Sequence, residues 1–78
     1  MKSTRYFEEQ VLRKRPYLKR DWIERVLRNP IHQEEQKDEE NRMRFWGKIE
    51  EYGIILRVVT LSDGETVHNA FIDKHFRG

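Results

Sequence analysis

Residues 42–72, RMRFWGKIEEYGIILRVVTLSDGETVHNAFI, decide how this chain is read. Three runs within them, 42–49, 54–61 and 66–72, are rich in β-branched and aromatic side chains and are expected as strands. Tyr52-Gly53 separates the first two, and Ser62-Asp63-Gly64-Glu65 separates the last two with a strong hairpin signal. Strands joined by such short connections pair antiparallel, so the stretch predicts a meander.

Alternation converts the pattern into geometry. In 42–49 the odd positions Met43, Phe45, Gly47 and Ile49 read as the core side, and the even positions Arg42, Arg44, Trp46 and Lys48 as the opposite side. Pairing Ile49 with Ile54 across a four-residue loop sets Phe45 against Val58 and Trp46 against Arg57. Met43, Phe45, Ile49, Ile54, Leu56 and Val58 then form an apolar face for helices to cover. Arg42, Arg44, Trp46, Lys48 and Arg57 form a basic face with an aromatic ring in its middle. The last strand has two registers open to it. A two-residue turn at Asp63-Gly64 puts Val67 and Phe71 in the core and His68 on the basic face near Arg57 and Val59, which apolar matching favours. A three-residue turn with a glycine bulge shifts the parity and puts Asn69 opposite Arg57.

Working towards the N-terminus, residues 31–36 read either as a weak edge strand or as an acidic loop, with Lys37 to Asn41 a polar loop. As a strand paired with 42–49, this segment sets Gln36 against Arg42, Glu34 against Arg44 and His32 against Trp46, adding an acid or base to the basic face. The first third is helical. Ser3 or Thr4 caps a helix with Glu8 and Glu9 in its first turn, where the dipole favours them. Phe7 and Val11 carry its apolar stripe, and Pro16 breaks it by disfavouring the helical conformation at Arg15. A second helix fits 18–29, with Leu18, Trp22, Ile23, Val26 and Leu27 on one broad face and Asn29-Pro30 as its end.

The expectation is one α+β domain over 1–78. Two N-terminal helices at about 4–29 pack on one face of a three- to four-stranded antiparallel meander, with a connector or edge strand at 31–41, the sheet at 42–72 and a short tail at 73–78. Seventy-eight residues bury only roughly 60% of their unfolded surface, a thin margin that leaves room for stabilisation by self-association, as a homodimer or other structural assembly. The chain has no cysteine, and its three histidines are scattered at 32, 68 and 75, a composition that argues against disulfides and zinc; no cofactor or metal is expected. No apolar run has the length of a membrane span or a signal-peptide core, so the expected location is the cytoplasm, with no membrane partner.

The net charge of +2 hides an uneven distribution. Residues 1–30 carry nine basic and four acidic side chains, residues 31–41 one and five, and residues 42–78 six and five. Positive charge therefore belongs to the helical third and to one sheet face, masked in the total by the acidic connector. Such a face suits phosphates, because a guanidinium fork matches two phosphate oxygens and an exposed indole offers a stacking surface for an unpaired base. Metal-independent RNA cleavage needs a base for the 2′-OH, a cation for the charge gathering on phosphorus and an acid for the leaving oxygen. Arg57, Arg44 and His68, with Glu34 as a further proton carrier, are the catalytic candidates; Trp46, Lys48, Arg42 and Asn69 are the RNA-binding candidates. The plainer reading is a solvated sheet face whose long basic side chains discourage edge pairing and cover apolar surface. Arg13-Lys14-Arg15 with Lys19 and Arg20 reads as a solvated corner between helices that can also touch phosphate, His75 as a surface residue and Trp22 as core.

From Leu18 to Phe76 the chain resembles small bacterial domains of the barnase, EndoU, colicin and RelE-like ribonuclease superfamily, among them the toxins of type II toxin–antitoxin pairs. The similarity lies in Leu27-Arg28-Asn29-Pro30 ending a helix and in RFWGKI from Arg44 to Ile49. It continues in LRVVTL from Leu56 to Leu61, the Asp-Gly hairpin and VHNAF from Val67 to Phe71. The resemblance implies a RelE-like fold and a toxin-like ribonuclease acting on RNA or at the ribosome, neutralised by a cognate antitoxin. The sheet face away from the helices would be the RNA side, with Arg44 and Arg57 at basic strand positions and Asn69 at a polar one. The alternative on the same fold is a non-catalytic module that binds RNA or protein.

Overall fold

The computed structural model describes residues 1–36 and 41–77, and within them the chain is α+β with one four-stranded antiparallel sheet. Of the loop expected at Lys37 to Asn41, residues 37–40 lie outside the described residues, and Asn41 takes a left-handed conformation at φ 50°. The first helix, α1, is a π-helical turn at Phe7–Val11 running into an α-helical turn at Leu12–Lys14. Thr4 caps it, its Oγ1 accepting the Phe7 N–H at 3.1 Å, while the Ser3 hydroxyl goes to the Glu8 carboxylate. Arg15 leaves the helical region at φ −128°, ψ 69°, as a residue preceding proline does. The second helix, α2, is Arg20–Arg28, shorter than the 18–29 expected; Leu18 is buried but precedes it. The helical third is therefore one regular helix and one short, widened one.

The strands are β1 (His32–Gln36), β2 (Arg42–Ile49), β3 (Ile54–Thr60) and β4 (Val67–Ile72), lying side by side in chain order. The expected pairing of β2 with β3 holds, with Ile49 opposite Ile54, Phe45 opposite Val58 and Trp46 opposite Arg57. The 31–36 segment is a strand, and its register sets His32 against Trp46, Glu34 against Arg44 and Gln36 against Arg42. Phe45, Ile49, Leu56 and Val58 join Phe7, Val11, Ile23, Val26, Val67 and Ala70 in a core between sheet and helices. Each large side chain enclosed there contributes about 1.5–3 kcal/mol from removal of apolar surface from water. Gly47 permits the close approach of α2, since a Cβ on it would lie 2.7 Å from Val26 Cγ2.

The last strand follows neither expected register throughout. The loop before it is longer than a two-residue turn: Leu61 N–H donates to Thr66 O, and Asp63 Oδ1 accepts the N–H groups of both Glu65 and Thr66 at 2.9 Å. Gly64 takes the left-handed conformation inside this loop, at φ 71°. Thr60 then pairs with Val67 but Val59 with Asn69, leaving His68 as the extra residue of a bulge. The bulge resolves a conflict that a straight strand cannot, because it sends both Val67 and Ala70 into the core and still turns Phe71 to the other face, opposite Arg57. Phe71 is thus not the core residue that apolar matching favoured, and Asn69 stands opposite Val59 rather than Arg57. Beside β4, Val67 also pairs in parallel with the N-terminal segment, donating its N–H to Lys2 O and accepting the Thr4 N–H at its carbonyl, both at 2.9 Å. No helix among the described residues is long and apolar enough to cross a membrane.

Candidate nucleic-acid interface

The sheet face turned away from the helices is built by two rows of cross-strand neighbours. One row runs His32, Trp46, Arg57, Phe71, and the next runs Glu34, Arg44, Val59, Asn69. Strand alternation therefore brings Arg44, Arg57, Glu34, Trp46 and Asn69 onto one surface, together with Arg42 and the exposed Lys48.

Arg57 is the centre of this surface. Its guanidinium carbon lies 5.3 Å from the Trp46 ring centroid and 5.1 Å from that of Phe71, so two aromatic rings hold it. Burial lowers its pKa from the ordinary guanidinium value, the neighbouring charge of Arg44 lowers it further, and Asp73 and Glu34 act the other way. The Nε atoms of Arg57 and Arg44 are both buried without a hydrogen-bond partner among the described residues. Arg15 reaches the same place from the end of α1, 5.8 Å over the Phe71 ring and with Nη1 3.5 Å from Asn69 Oδ1. Asn69 directs that same oxygen chiefly to the N–H of Ala70, at 2.9 Å.

Glu34 is the acid of the face. One of its oxygens lies 2.8 Å from His32 Nε2 and the other 3.8 Å from Arg44 Nη2. The hydrogen bond to His32, aided by the positive charges of Arg44 and Arg57, holds its carboxyl below the ordinary carboxylate range. On this surface a carboxylate, an imidazole and two guanidinium groups thus stand on adjacent strands.

Two expected members are placed differently. His68 is not beside Arg57: as the bulge residue it turns to the N-terminal segment, where Nδ1 lies 3.0 Å from Thr4 Oγ1 and the ring stacks on Tyr6 at 4.8 Å. Trp46 is on the face but is not an exposed platform, being only 5% accessible. Its indole N–H donates to Asp73 Oδ2 at 2.9 Å, and Phe76 stacks on it at 5.3 Å with 26° between the rings. The residues that cover Trp46 follow β4, beyond the reach of any strand-pairing argument. Asp73, Phe76 and Phe71 are the members of the site that sequence reasoning missed. The alternating pattern contained a signal for Phe71, provided a bulge was allowed at His68.

Compared with protein-family models, with curated proteins and with solved structures, the chain matches none.

Proposed function

We propose that this protein is a toxin-like ribonuclease of RelE-like architecture that binds the phosphodiester backbone of RNA on this face and cleaves it without a metal ion. The observation that carries the reading is the pair of arginines, Arg57 gripped between Trp46 and Phe71 with Arg44 on the neighbouring strand. A guanidinium held by aromatic rings keeps its planar fork in one orientation, and the terminal N–H groups of such a fork match the oxygens of a phosphate. In the proposed reaction Glu34 takes the proton of a ribose 2′-OH, the freed oxygen attacks phosphorus, and Arg57 and Arg44 stabilise the charge gathering on the phosphoryl oxygens. The imidazolium of His32 returns a proton to the departing 5′ oxygen, which leaves a 2′,3′-cyclic phosphate. The resemblance of 18–76 to the toxins of toxin–antitoxin pairs adds an antitoxin protein as the partner that neutralises it.

RNA binding without cleavage is the second reading, favoured by one observation. The Glu34 carboxyl is held below its ordinary range, which makes it a weak base near neutral pH. One experiment tests both. Purified protein is incubated with labelled single-stranded RNA in excess EDTA, and binding and cleavage are followed for wild type, Arg57→Ala and Glu34→Gln. Ribonuclease action predicts cyclic-phosphate ends from wild type, binding without cleavage by Glu34→Gln, and weakened binding by Arg57→Ala. Intact RNA bound by wild type selects the second reading, and absence of binding at low salt refutes both.

A further inference from the structure

The side chain that closes the face over Trp46 is itself an aromatic ring, and it is weakly held. Asp73 is anchored at three points: its N–H donates to Ile55 O, Oδ2 accepts the Trp46 indole N–H, and Oδ1 accepts the His75 N–H, each at 2.9 Å. Beyond that anchor, no hydrogen bond holds Phe76 among the described residues, and its ring lies against aromatic rings of the sheet face. Those contacts are to Trp46 at 5.3 Å and to His32 at 5.8 Å. A segment with so few attachments opens at low cost. The indole beneath it is fixed independently, by the Asp73 carboxylate and by the Arg57 guanidinium, and so keeps its orientation when Phe76 leaves.

We propose that the surface of Trp46 covered by Phe76 is a slot for one unpaired nucleobase of single-stranded RNA, and that residues 74–76 are a strap which that base displaces. The proposal rests on the reading of the arginine face as an RNA surface. A base in the place of Phe76 stacks on Trp46, with the His32 ring 5.2 Å from the indole as a second wall. Its own phosphate then falls near Arg57, the direct cross-strand neighbour of Trp46. Stacking of this kind tolerates any base, since each has a π face, and requires a base freed from pairing. The strap makes binding a competition between two rings for one indole, so the protein offers its stacking surface only to a strand that also engages the arginines.

The test uses two probes that carry 2′-O-methyl groups in place of the attacking 2′-OH, octa-adenylate and an abasic ribose-phosphate octamer. Affinities are read by anisotropy of labelled oligomer with the otherwise unchanged chain and with Phe76→Ala. Trp46 exposure is read by acrylamide quenching in a Trp22→Phe background, where Trp46 is the sole tryptophan. Removal of the Phe76 ring is expected to raise the quenching of Trp46 and to tighten octa-adenylate binding about tenfold, with abasic binding unchanged. Equal octa-adenylate affinities for both proteins, with abasic binding intact, overturn the slot and leave the phosphate surface standing. Weaker octa-adenylate binding by Phe76→Ala makes Phe76 part of the binding surface and overturns the strap. Failure of either protein to bind either oligomer overturns both the slot and the RNA surface.

Discussion

Gly47 of β2 and Val26 of α2 stand so close that a Cβ on the glycine would lie 2.7 Å from Val26 Cγ2 and 3.1 Å from Val26 Cα. The second distance involves backbone, so a rotamer change of the valine relieves only part of the clash. Gly47→Ala is therefore expected to destabilise the protein by about 1–3 kcal/mol, the usual cost of overpacking. Urea denaturation measures this, and Val26→Ala in the same chain should return less than the full loss. An alanine at 47 that leaves stability unchanged would mean that the helix does not sit this close to the sheet.

Acid should weaken the fold through two surface carboxyls. Hydrogen bonds from the Thr66 hydroxyl and from the Thr66 and Glu65 N–H groups bring Asp63 from its ordinary 3.8 to about 2. The Arg25 guanidinium brings Glu51 from 4.5 to about 2. In the unfolded chain both groups take up a proton at higher pH than in the folded one. Their stabilising contribution is thus complete above roughly pH 5 and is lost as pH falls towards their folded values. Thermal melts at steps between roughly pH 5 and pH 2 should show a falling midpoint. Asp63→Asn, which keeps an acceptor for both backbone N–H groups but cannot titrate, should flatten that fall; an unaltered slope would remove Asp63 from the account.

Salt offers a reading of the arginine face that does not depend on cleavage. Each phosphate neutralised on a single strand contributes about 0.7 to the slope of log K against log salt. Replacement of Arg57 or Arg44 by Ala should lower that slope by about this amount. Arg57→Lys keeps the charge but loses the planar fork between two rings, and should retain the slope while binding less tightly. A slope identical in wild type and Arg57→Ala would place the phosphates elsewhere.

Much of the sheet was legible because alternation and loop length are local. Fixing Ile49 against Ile54 placed Trp46 beside Arg57, and the same rule carried Glu34 to Arg44 even on the weakest strand. The π-helical turn at Phe7–Val11 and the bulge at His68 were not legible. Each inserts one residue into a regular repeat for the sake of contacts made far away in sequence. His68 shows the cost: a one-residue offset moved a catalytic candidate from the arginines to Thr4. Alternation places Trp46 on its face but cannot reveal its cover, which comes from Asp73 and Phe76, whose positions no strand pattern constrains.

The pairing of residues 2–4 with Val67 has a kinetic meaning as well. In the sheet, β1 to β4 each pair with their neighbours in the chain, so these pairings join segments close in sequence at small entropic cost. The Ser3–Val67 bridge instead joins the two ends of a ring that contains nearly the whole polypeptide. Such a ring costs less entropy to close once the hairpins have shortened the path between its ends. The Thr4 cap of the first helix and the Thr4–His68 contact lie on the same short segment, so closing that ring also caps the helix whose Phe7 and Val11 complete the core.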